Sequence, residues 1–122
     1  MFILFSFLQF NIRYQGKFVK VDKFELIHYY RRRFDAKLFL FEKSVVVTEV
    51  YNETELSFIE SYDIDSVGIA FENGTNKMFL YNEKRSQREI ECISSSATTA
   101  KLWTELLHNC IHKFKNRKLF TF

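Results

Sequence analysis

Apolar and polar residues alternate loosely through residues 18–93, which is typical of half-buried β-strands. The alternation is clearest from 55 to 62, and Asn73-Gly74 is the strongest turn signal in the chain. The predicted strands cover residues 18–27, 37–41, 44–48, 55–62, 66–71, 77–81 and 88–93. The pattern therefore predicts seven short strands joined by short turns or polar breaks.

The stretch 37–41 (Lys-Leu-Phe-Leu-Phe) departs from this alternation, because its last four residues are all apolar. A strand with apolar residues on both faces needs cover on both faces. We therefore expect this strand to be buried from two sides. The preceding stretch 29–35 contains three consecutive arginines, and we interpret it as a polar break between two strands.

The hydrophobic period changes after the last predicted strand. From 97 to about 114, apolar residues recur three or four positions apart, as on one face of a helix. The stripe consists of Trp103, Leu107, Cys110 and Phe114, widened by Leu106 and Ile111. Serines at 94–96 offer N-cap hydroxyls, and bases in the last turn suit the negative end of the helix dipole. The sequence thus predicts one amphipathic helix.

Seven short strands followed by one helix indicate a mainly β fold. Antiparallel strands need no crossover helices, so they can close into a small barrel or an orthogonal sandwich. The open end of such a barrel needs a lid, which a helix carrying Trp103 can provide. The expected fold class is a seven-stranded antiparallel barrel or orthogonal sandwich capped by one C-terminal α-helix.

Composition agrees with a single globular domain. The chain has 122 residues, of which 47% are apolar and 27% charged, with 15 Phe and no Pro. A chain of this length buries roughly two-thirds of its unfolded surface around one core. The composition excludes disordered, collagen-like and disulfide-scaffold classes. Cys92 and Cys110 belong to no ligand-spaced cluster, so we expect free thiols in a reduced, intracellular chain.

The opening residues 1–10 are strongly apolar and include Phe2, Phe5, Phe7 and Phe10. The segment is too short to span a bilayer, and it lacks the basic start and small-residue cleavage site of a signal peptide. We interpret it as an extra element packed on the domain or as the cut end of a longer chain. The expected organisation is 1–15 as an extension or boundary, 16–114 as the domain, and 115–122 as a basic and aromatic tail.

Charge is divided into blocks along the chain. From Arg13 to Lys43 there are nine basic and four acidic residues, whereas from Glu49 to Asp65 there are six acidic residues and no Lys or Arg. A basic first third favours an anionic partner, such as a membrane surface or a phosphate group. The alternative is a solvated face whose charges only aid solubility.

Three stretches carry a resemblance to a known family. The residues 16–20 (Gly-Lys-Phe-Val-Lys) form a Gly-x-apolar-apolar-Lys opening, and 37–47 contain Lys-Leu-Phe-Leu-Phe-Glu-Lys followed by three valines. Trp103 is the single Trp of the predicted helix. In this order the three resemble the pleckstrin homology (PH) domain, and more narrowly the PH domain that follows the exchange domain in Dbl-family Rho guanine-nucleotide exchange factors. The resemblance covers about residues 16–114.

The resemblance implies a barrel capped by the helix, with no catalytic activity and no cofactor of its own. Members of this family bind phosphoinositide head groups, usually weakly, pack on the exchange domain and contact the bound GTPase. Bases at the end of the first strand and the start of the second hold the phosphates in the stronger lipid binders. The resemblance therefore nominates Lys20, Lys23, Arg31, Arg32, Arg33 and Lys37 as head-group-binding residues.

Two features depart from the strong lipid-binding pattern. Asp35 and Ala36 stand where bases are common in the family, and the turn 49–55 carries three acids on the side where phosphates would dock. Both favour weak electrostatic association with anionic membrane. We therefore expect a cytoplasmic chain that is peripheral to the membrane, with an exchange domain and a Rho-type GTPase as partners within a larger protein. The alternative is a protein-interaction module of the same fold that binds no lipid.

Other chemistries have little support in the sequence. His108 and His112 share a helix face without a third ligand, which argues against a metal site. The three glycines form no phosphate-binding loop, and no serine has the context of a catalytic nucleophile. Nucleic-acid binding is not expected either, because the aromatic residues lie in apolar runs typical of a core.

Overall fold

The structure is a computed structural model, and it describes residues 4–5, 12–28 and 32–119. In chain order the elements are β1 (Leu4–Phe5), a 3-10 helix (Ile12–Gln15), β2 (Phe18–Ile27), β3 (Arg33–Phe41), β4 (Ser44–Val50), β5 (Glu55–Asp63), β6 (Val67–Phe71), β7 (Lys77–Asn82), β8 (Arg85–Ile93) and α1 (Ala97–Leu119). All seven predicted strands and the predicted helix are therefore present, with shifts at some of their ends.

The strands form one sheet in the order β1-β5-β4-β3-β2-β8-β7-β6. Neighbours pair antiparallel except β1, whose two residues pair in parallel with Glu55 and Leu56 of β5. β2 joins the two halves of the sheet, because it pairs with β3 along its length and with β8 through Glu25–Ile27. α1 packs mainly against β6 and β7. The predicted seven-stranded antiparallel fold with a C-terminal helical cap is confirmed.

Trp103 anchors the helix to the interior of the fold. Its side chain is fully buried, and its ring meets that of Phe24 edge to face with the centroids 5.5 Å apart. The indole N–H donates a hydrogen bond to Oδ2 of Asp22 at 2.7 Å. The surrounding core contains side chains from every strand between β2 and β8. The helix is therefore fixed to β2 by a polar contact as well as by packing.

β3 is buried on both faces, as the run of apolar residues predicts. Leu38 and Leu40 belong to the main core, whereas Phe39 and Phe41 belong to a second apolar cluster. Buried partners in that cluster are Val46 of β4 and Leu56 of β5. The parallel strand β1 adds to the sheet beside Leu56. Most of the apolar opening lies outside the described residues, so the expected domain limits stay predictions.

β3 begins four residues earlier than the sequence pattern predicts. Phe34 and Ala36 are buried and pair with Leu26 and Phe24 of β2. The residues between and before them are charged and exposed, so a half-buried strand resembles a polar break when only its charges are considered. The interpretation of 29–35 as a break is therefore wrong for its last three residues.

α1 begins as predicted and extends further than predicted. The hydroxyl of Ser96 accepts a hydrogen bond from the N–H of Thr99 at 3.2 Å, which is the N-cap contact expected from the serine run. The helix continues to Leu119 rather than ending near Phe114. Lys and Arg dominate this extra turn, and both are good helix formers that need no apolar partner.

Candidate functional site

The bases predicted to bind phosphate lie on β2 and β3. Lys23 of β2 stands opposite Lys37 of β3, and Ile27 stands opposite Arg33. Residues paired in register share a face of the sheet, as do residues two or four positions apart on one strand. Lys23, Lys37 and Arg33 therefore lie on the same face. Arg31 lies outside the described residues.

Lys20 does not join this group. It lies three positions before Lys23 and so points to the opposite face of β2. Its Nζ is 3.1 Å from Oδ2 of Asp22, the same oxygen that accepts the indole N–H of Trp103. The structure thus places Lys20 in the anchor of the helix, away from the face shared by Lys23 and Lys37.

Both described arginines of the triple-arginine stretch are engaged by carboxylates. Nη2 of Arg32 lies 2.5 Å from Oε1 of Glu49, and its guanidinium stacks 4.8 Å from the ring centroid of Phe34. Nη1 of Arg33 lies 3.3 Å from Oε1 of Glu25. The arginine side chains are 56% and 60% exposed, so these are surface ion pairs, and such pairs contribute little free energy. A phosphate that bound here would compete with protein carboxylates.

Among the nominated bases that the structure describes, Lys23 and Lys37 are the two that pair with each other across strands. Within the described part of the chain, neither ammonium group makes an ion pair. On the same face of the sheet, the next pair of opposing residues is Glu25 with Asp35. With Arg33, three bases therefore adjoin two acids on this face, and its net charge is small.

His28 and Glu60 lie beside these arginines, although the sequence did not identify them. The backbone N–H of His28 donates to the backbone carbonyl of Arg32 at 2.8 Å. The ring Nε2 of His28 lies 3.1 Å from Oε2 of Glu60. His28 directly follows β2, and Glu60 lies on β5, 32 residues later in the chain. Only the paired strands bring them together, so no local motif could reveal them.

A groove of about 980 Å³ lies between the C-terminal half of α1 and the start of β2. Its apolar lining includes Phe18 and Val19 of β2 and Leu106 and Phe114 of α1. Phe18 is 55% exposed, which is high for so large an apolar side chain. The volume lies near the upper end of the range usual for ligand sites, roughly 300–1,000 Å³. We call this feature the α1–β2 groove.

Glu42 sits among the bases of the α1–β2 groove. The backbone N–H of Lys17 donates to its Oε1 at 2.7 Å, and Nη2 of Arg117 is 3.8 Å from its Oε2. The hydrogen bond from Lys17 and the charges of Arg117, Lys17 and Lys113 lower the pKa of Glu42. Gly16, with φ of 79°, shapes this turn, since an added Cβ would lie 3.0 Å from that of Glu42.

The two cysteines are free, and the two helix histidines are exposed. Burial raises the pKa of the Cys92 thiol strongly and that of Cys110 to a smaller degree. Nε2 of His112 lies 3.2 Å from the amide nitrogen of Asn116. The part of the chain that the structure describes holds no group of three residues suited to a metal ion. It also contains no helix that is both long and apolar enough to cross a membrane.

Comparisons with known proteins give a match at the level of structure. No family model matches the sequence, and no curated protein matches it either. Among solved structures, Vav1 bound to an allosteric inhibitor superposes with a TM-score of 0.74 at 14% identity, over 88% of this chain and 30% of that chain. A second Vav1 structure, which concerns the structural role of the PH and C1 domains, superposes with a TM-score of 0.73 at 15% identity, over 88% of this chain and 29% of that chain. The fold is that of a PH domain.

Two further matches come from other exchange factors. The DH/PH fragment of PDZRHOGEF in complex with human RhoA gives a TM-score of 0.67 at 13% identity, over 80% of this chain and 29% of that chain. The DH/PH domains of p115-RhoGEF give 0.68 at 8% identity, over 79% and 30%. The PH fold described here therefore spans about 30% of the length of these solved chains.

Proposed function

We propose that the chain is a non-catalytic PH module of the Rho guanine-nucleotide exchange factor type. It associates weakly with anionic membrane, including phosphoinositide, through the bases around the β2–β3 connection. The observation that supports this best is the cross-strand pair Lys23 and Lys37, which shares a face with Arg33. Three bases on one face of adjacent strands give a phosphate-bearing surface several point charges at once.

The ion pairs around these bases support weak rather than tight association. Arg32 and Arg33 already contact Glu49 and Glu25, and Asp35 adjoins Lys37 along β3. A base near an anionic surface contributes about 1 kcal/mol when it is free. Part of that gain is lost here, because each arginine leaves a carboxylate behind when it turns to a phosphate.

The protein-contact part of the proposal is that the module supports nucleotide exchange within a larger protein. Its partners there are an exchange domain and a Rho-type GTPase. Support comes from the fold likeness to DH/PH fragments, one of which was solved in complex with human RhoA. We expect the reading frame of the transcript to continue upstream of Met1 into an exchange domain. A stop codon in frame directly upstream would contradict this part and leave the lipid part untouched.

Vesicle co-sedimentation tests the lipid part. The chain is mixed with vesicles of phosphatidylcholine, of phosphatidylcholine with phosphatidylserine, and of phosphatidylcholine with phosphatidylinositol bisphosphate at matched charge. We expect sedimentation with both anionic mixtures at low salt, similar in extent, and little with the neutral one. Similar extents identify electrostatic association, whereas a strong preference for the phosphoinositide would contradict the weak, non-stereospecific mode.

Two variants locate the surface. Replacing Lys23 and Lys37 by Ala should abolish most of the sedimentation, and replacing Arg31, Arg32 and Arg33 by Ala should reduce it. Lys101→Ala is the matched control, since Lys101 is an exposed base on α1 outside this surface. If the variant of Lys23 and Lys37 sediments as the wild type does, or if the wild type fails to sediment at all, the lipid part is wrong. A wild-type chain that does not sediment would favour the alternative, which is a protein-interaction module of the same fold that binds no lipid.

A further inference from the structure

The start of β2 has a backbone edge that no described strand covers. β2 pairs with β3 from Phe18 onwards, but its ladder with β8 includes only Glu25–Ile27. The N-terminal half of β2 therefore presents N–H and C=O groups on one edge without a ladder partner among the described residues. Such an edge is where an extended peptide can add to a sheet.

A β-bulge lies in the same segment. The register between β2 and β3 passes from Phe18–Phe41 to Lys20–Leu40, so that Val19 is the extra residue. A bulge turns neighbouring side chains away from strict alternation. As a result Phe18 and Val19, which are consecutive, both line the α1–β2 groove and remain exposed. The open edge and the apolar wall of the groove therefore coincide.

The charge around the groove is complementary to an acidic ligand on one side. Lys17, Lys113 and Arg117 surround the single carboxylate of Glu42, which already accepts the N–H of Lys17. The whole lining, with Lys43, Asp63 and Asp65 included, has four bases against three acids, so its excess of positive charge is a single one. The three bases around Glu42 are exposed, so a second carboxylate can reach them without displacing any part of the core.

We propose that the α1–β2 groove binds an extended acidic peptide segment, which adds as a strand to the edge of β2 that no described strand covers. An apolar side chain of the peptide lies between Phe18 and the Leu106–Phe114 face of α1, and a neighbouring carboxylate contacts Lys17 and Lys113. The assignment does not rest on the proposed lipid association, because none of the bases around the β2–β3 connection is involved.

A membrane surface fits this groove less well than a peptide does. The groove is concave, and Asp63 at the end of β5 and Asp65 on the β5–β6 connection also line it. These two carboxylates would face a flat anionic surface and repel it. A narrow peptide presents fewer negative charges to Asp63 and Asp65 than a membrane surface does.

The experiment uses a synthetic peptide, acetyl-Val-Asp-Phe-Glu-Val-Asp-Val-amide, with binding followed by amide chemical shifts of the full chain. We expect shifts at Phe18, Val19 and the C-terminal half of α1, and dissociation in the micromolar to millimolar range that suits so short a ligand. A version with lysine at the three acidic positions should bind at least about tenfold more weakly. A version with alternate amides N-methylated should lose most of its affinity, because it cannot complete a ladder.

Two charge reversals on α1 form a matched pair. Lys113→Glu, on the groove, should weaken the peptide by roughly fivefold, which corresponds to about 1 kcal/mol for an exposed charge contact. Lys101→Glu, exposed on the same helix but outside the groove, should leave the affinity unchanged. Circular dichroism of both variants shows whether the fold is intact. Equal effects of the two reversals, or shifts confined to another surface, would overturn the proposal.

Cys110 provides an independent readout that needs no substitution. It lines the groove and is partly exposed, whereas Cys92 is fully buried and serves as the internal reference. Saturating peptide should slow alkylation of Cys110 by iodoacetamide severalfold. Unchanged alkylation under saturating peptide would contradict the proposed position. Protection by anionic vesicles but not by the peptide would assign the groove to a membrane and overturn the peptide proposal.

Discussion

The two ends of β2 hold bases in different ways. At the C-terminal end, Arg33 of β3 forms an ion pair with Glu25, and Arg32 forms one with Glu49. The charge of each of these arginines is therefore balanced by a nearby carboxylate. At the N-terminal end, Lys17 joins Lys113 and Arg117 of α1 around one carboxylate, and positive charge is in excess. Each described arginine at the C-terminal end therefore has a carboxylate of its own, whereas three bases share Glu42 at the N-terminal end.

The difference shows that a count of charges along a strand does not locate an anion-binding surface. Arg33 acquires an acidic partner because the antiparallel register sets Glu25 beside it, whereas Lys23 and Lys37 stand opposite each other and make no ion pair among the described residues. Bases from distant parts of the chain, here Lys17, Lys113 and Arg117, can gather around one carboxylate when a helix end meets a strand end. What matters for a ligand is which carboxylates lie within contact distance of each base.

Trp103 fixes α1 to the middle of β2, and its removal gives the largest expected effect. Trp103→Ala leaves a cavity in the main core and removes the hydrogen bond to Asp22. We expect the free energy of unfolding to fall by about 3–5 kcal/mol, as for other buried Trp residues. Urea denaturation followed by circular dichroism measures the change. A variant with an unchanged transition midpoint would show that the helix does not cap the fold.

Asp22 tests the polar part of the same anchor. Asp22→Ala removes the acceptor of the Trp103 indole N–H and the partner of Lys20, while it leaves the ring in place. Because a hydrogen bond to a charged group contributes about 1.5–3 kcal/mol, we expect a loss in that range and smaller than for Trp103→Ala. Asp22→Asn keeps an acceptor oxygen and should cost less. If Asn and Ala are equally destabilising, the contribution of Asp22 is its charge rather than its hydrogen bond.

The arginines at the C-terminal end should matter little for stability. Arg32→Ala and Arg33→Ala each remove one exposed ion pair, and such pairs typically contribute 0–1 kcal/mol. We expect changes in the free energy of unfolding below about 1 kcal/mol for each variant, measured by urea denaturation. A loss of several kcal/mol from Arg32→Ala would mean that its contacts with Glu49 and Phe34 are structural, and the contrast between the two ends of β2 would fail.

Much of the fold was predictable because its signals are local. The strand alternation, the serine cap and the spacing of Trp103 and Phe114 each lie within a short window. The doubly buried β3 was predicted for the same reason. The start of β3 was missed, because Arg33 and Asp35 conceal the buried positions between them. The end of α1 was missed because its last turn is polar and forms without an apolar stripe.

The candidate sites were less predictable because they depend on contacts between distant residues. The acidic turn that contains Glu49 was recognised as unfavourable for phosphate, and Glu49 does contact Arg32. The position of Lys20 on the opposite face follows from its odd spacing from Lys23, a signal that the sequence itself carries. The α1–β2 groove had no such signal, since Lys17 and Lys113 meet only after the helix docks.

Glu42 gives the smallest effect and a direct test of the excess charge at the N-terminal end of β2. The Lys17 hydrogen bond and the nearby bases hold the pKa of Glu42 below its ordinary value of 4.5. A carboxyl with a lowered pKa stabilises the fold above its ordinary pKa, and this contribution is lost as the pH falls through the folded-state value. Glu42→Gln, which keeps an acceptor for Lys17, should therefore be slightly less stable than the wild type at pH 7.

The difference between the two proteins should narrow as the pH falls below 4.5 and the wild-type carboxyl is protonated. The midpoints of urea denaturation of the wild type and of Glu42→Gln, measured from pH 7 into the acid range, give this difference in stability. Glu53→Gln is the matched control, because Glu53 is exposed on the β4–β5 connection, and its curve should follow the wild type throughout. A Glu42→Gln variant that is more stable than the wild type at pH 7 would show that the nearby bases do not favour the carboxylate. The N-terminal end of β2 would then hold no excess of positive charge for an acidic ligand to use.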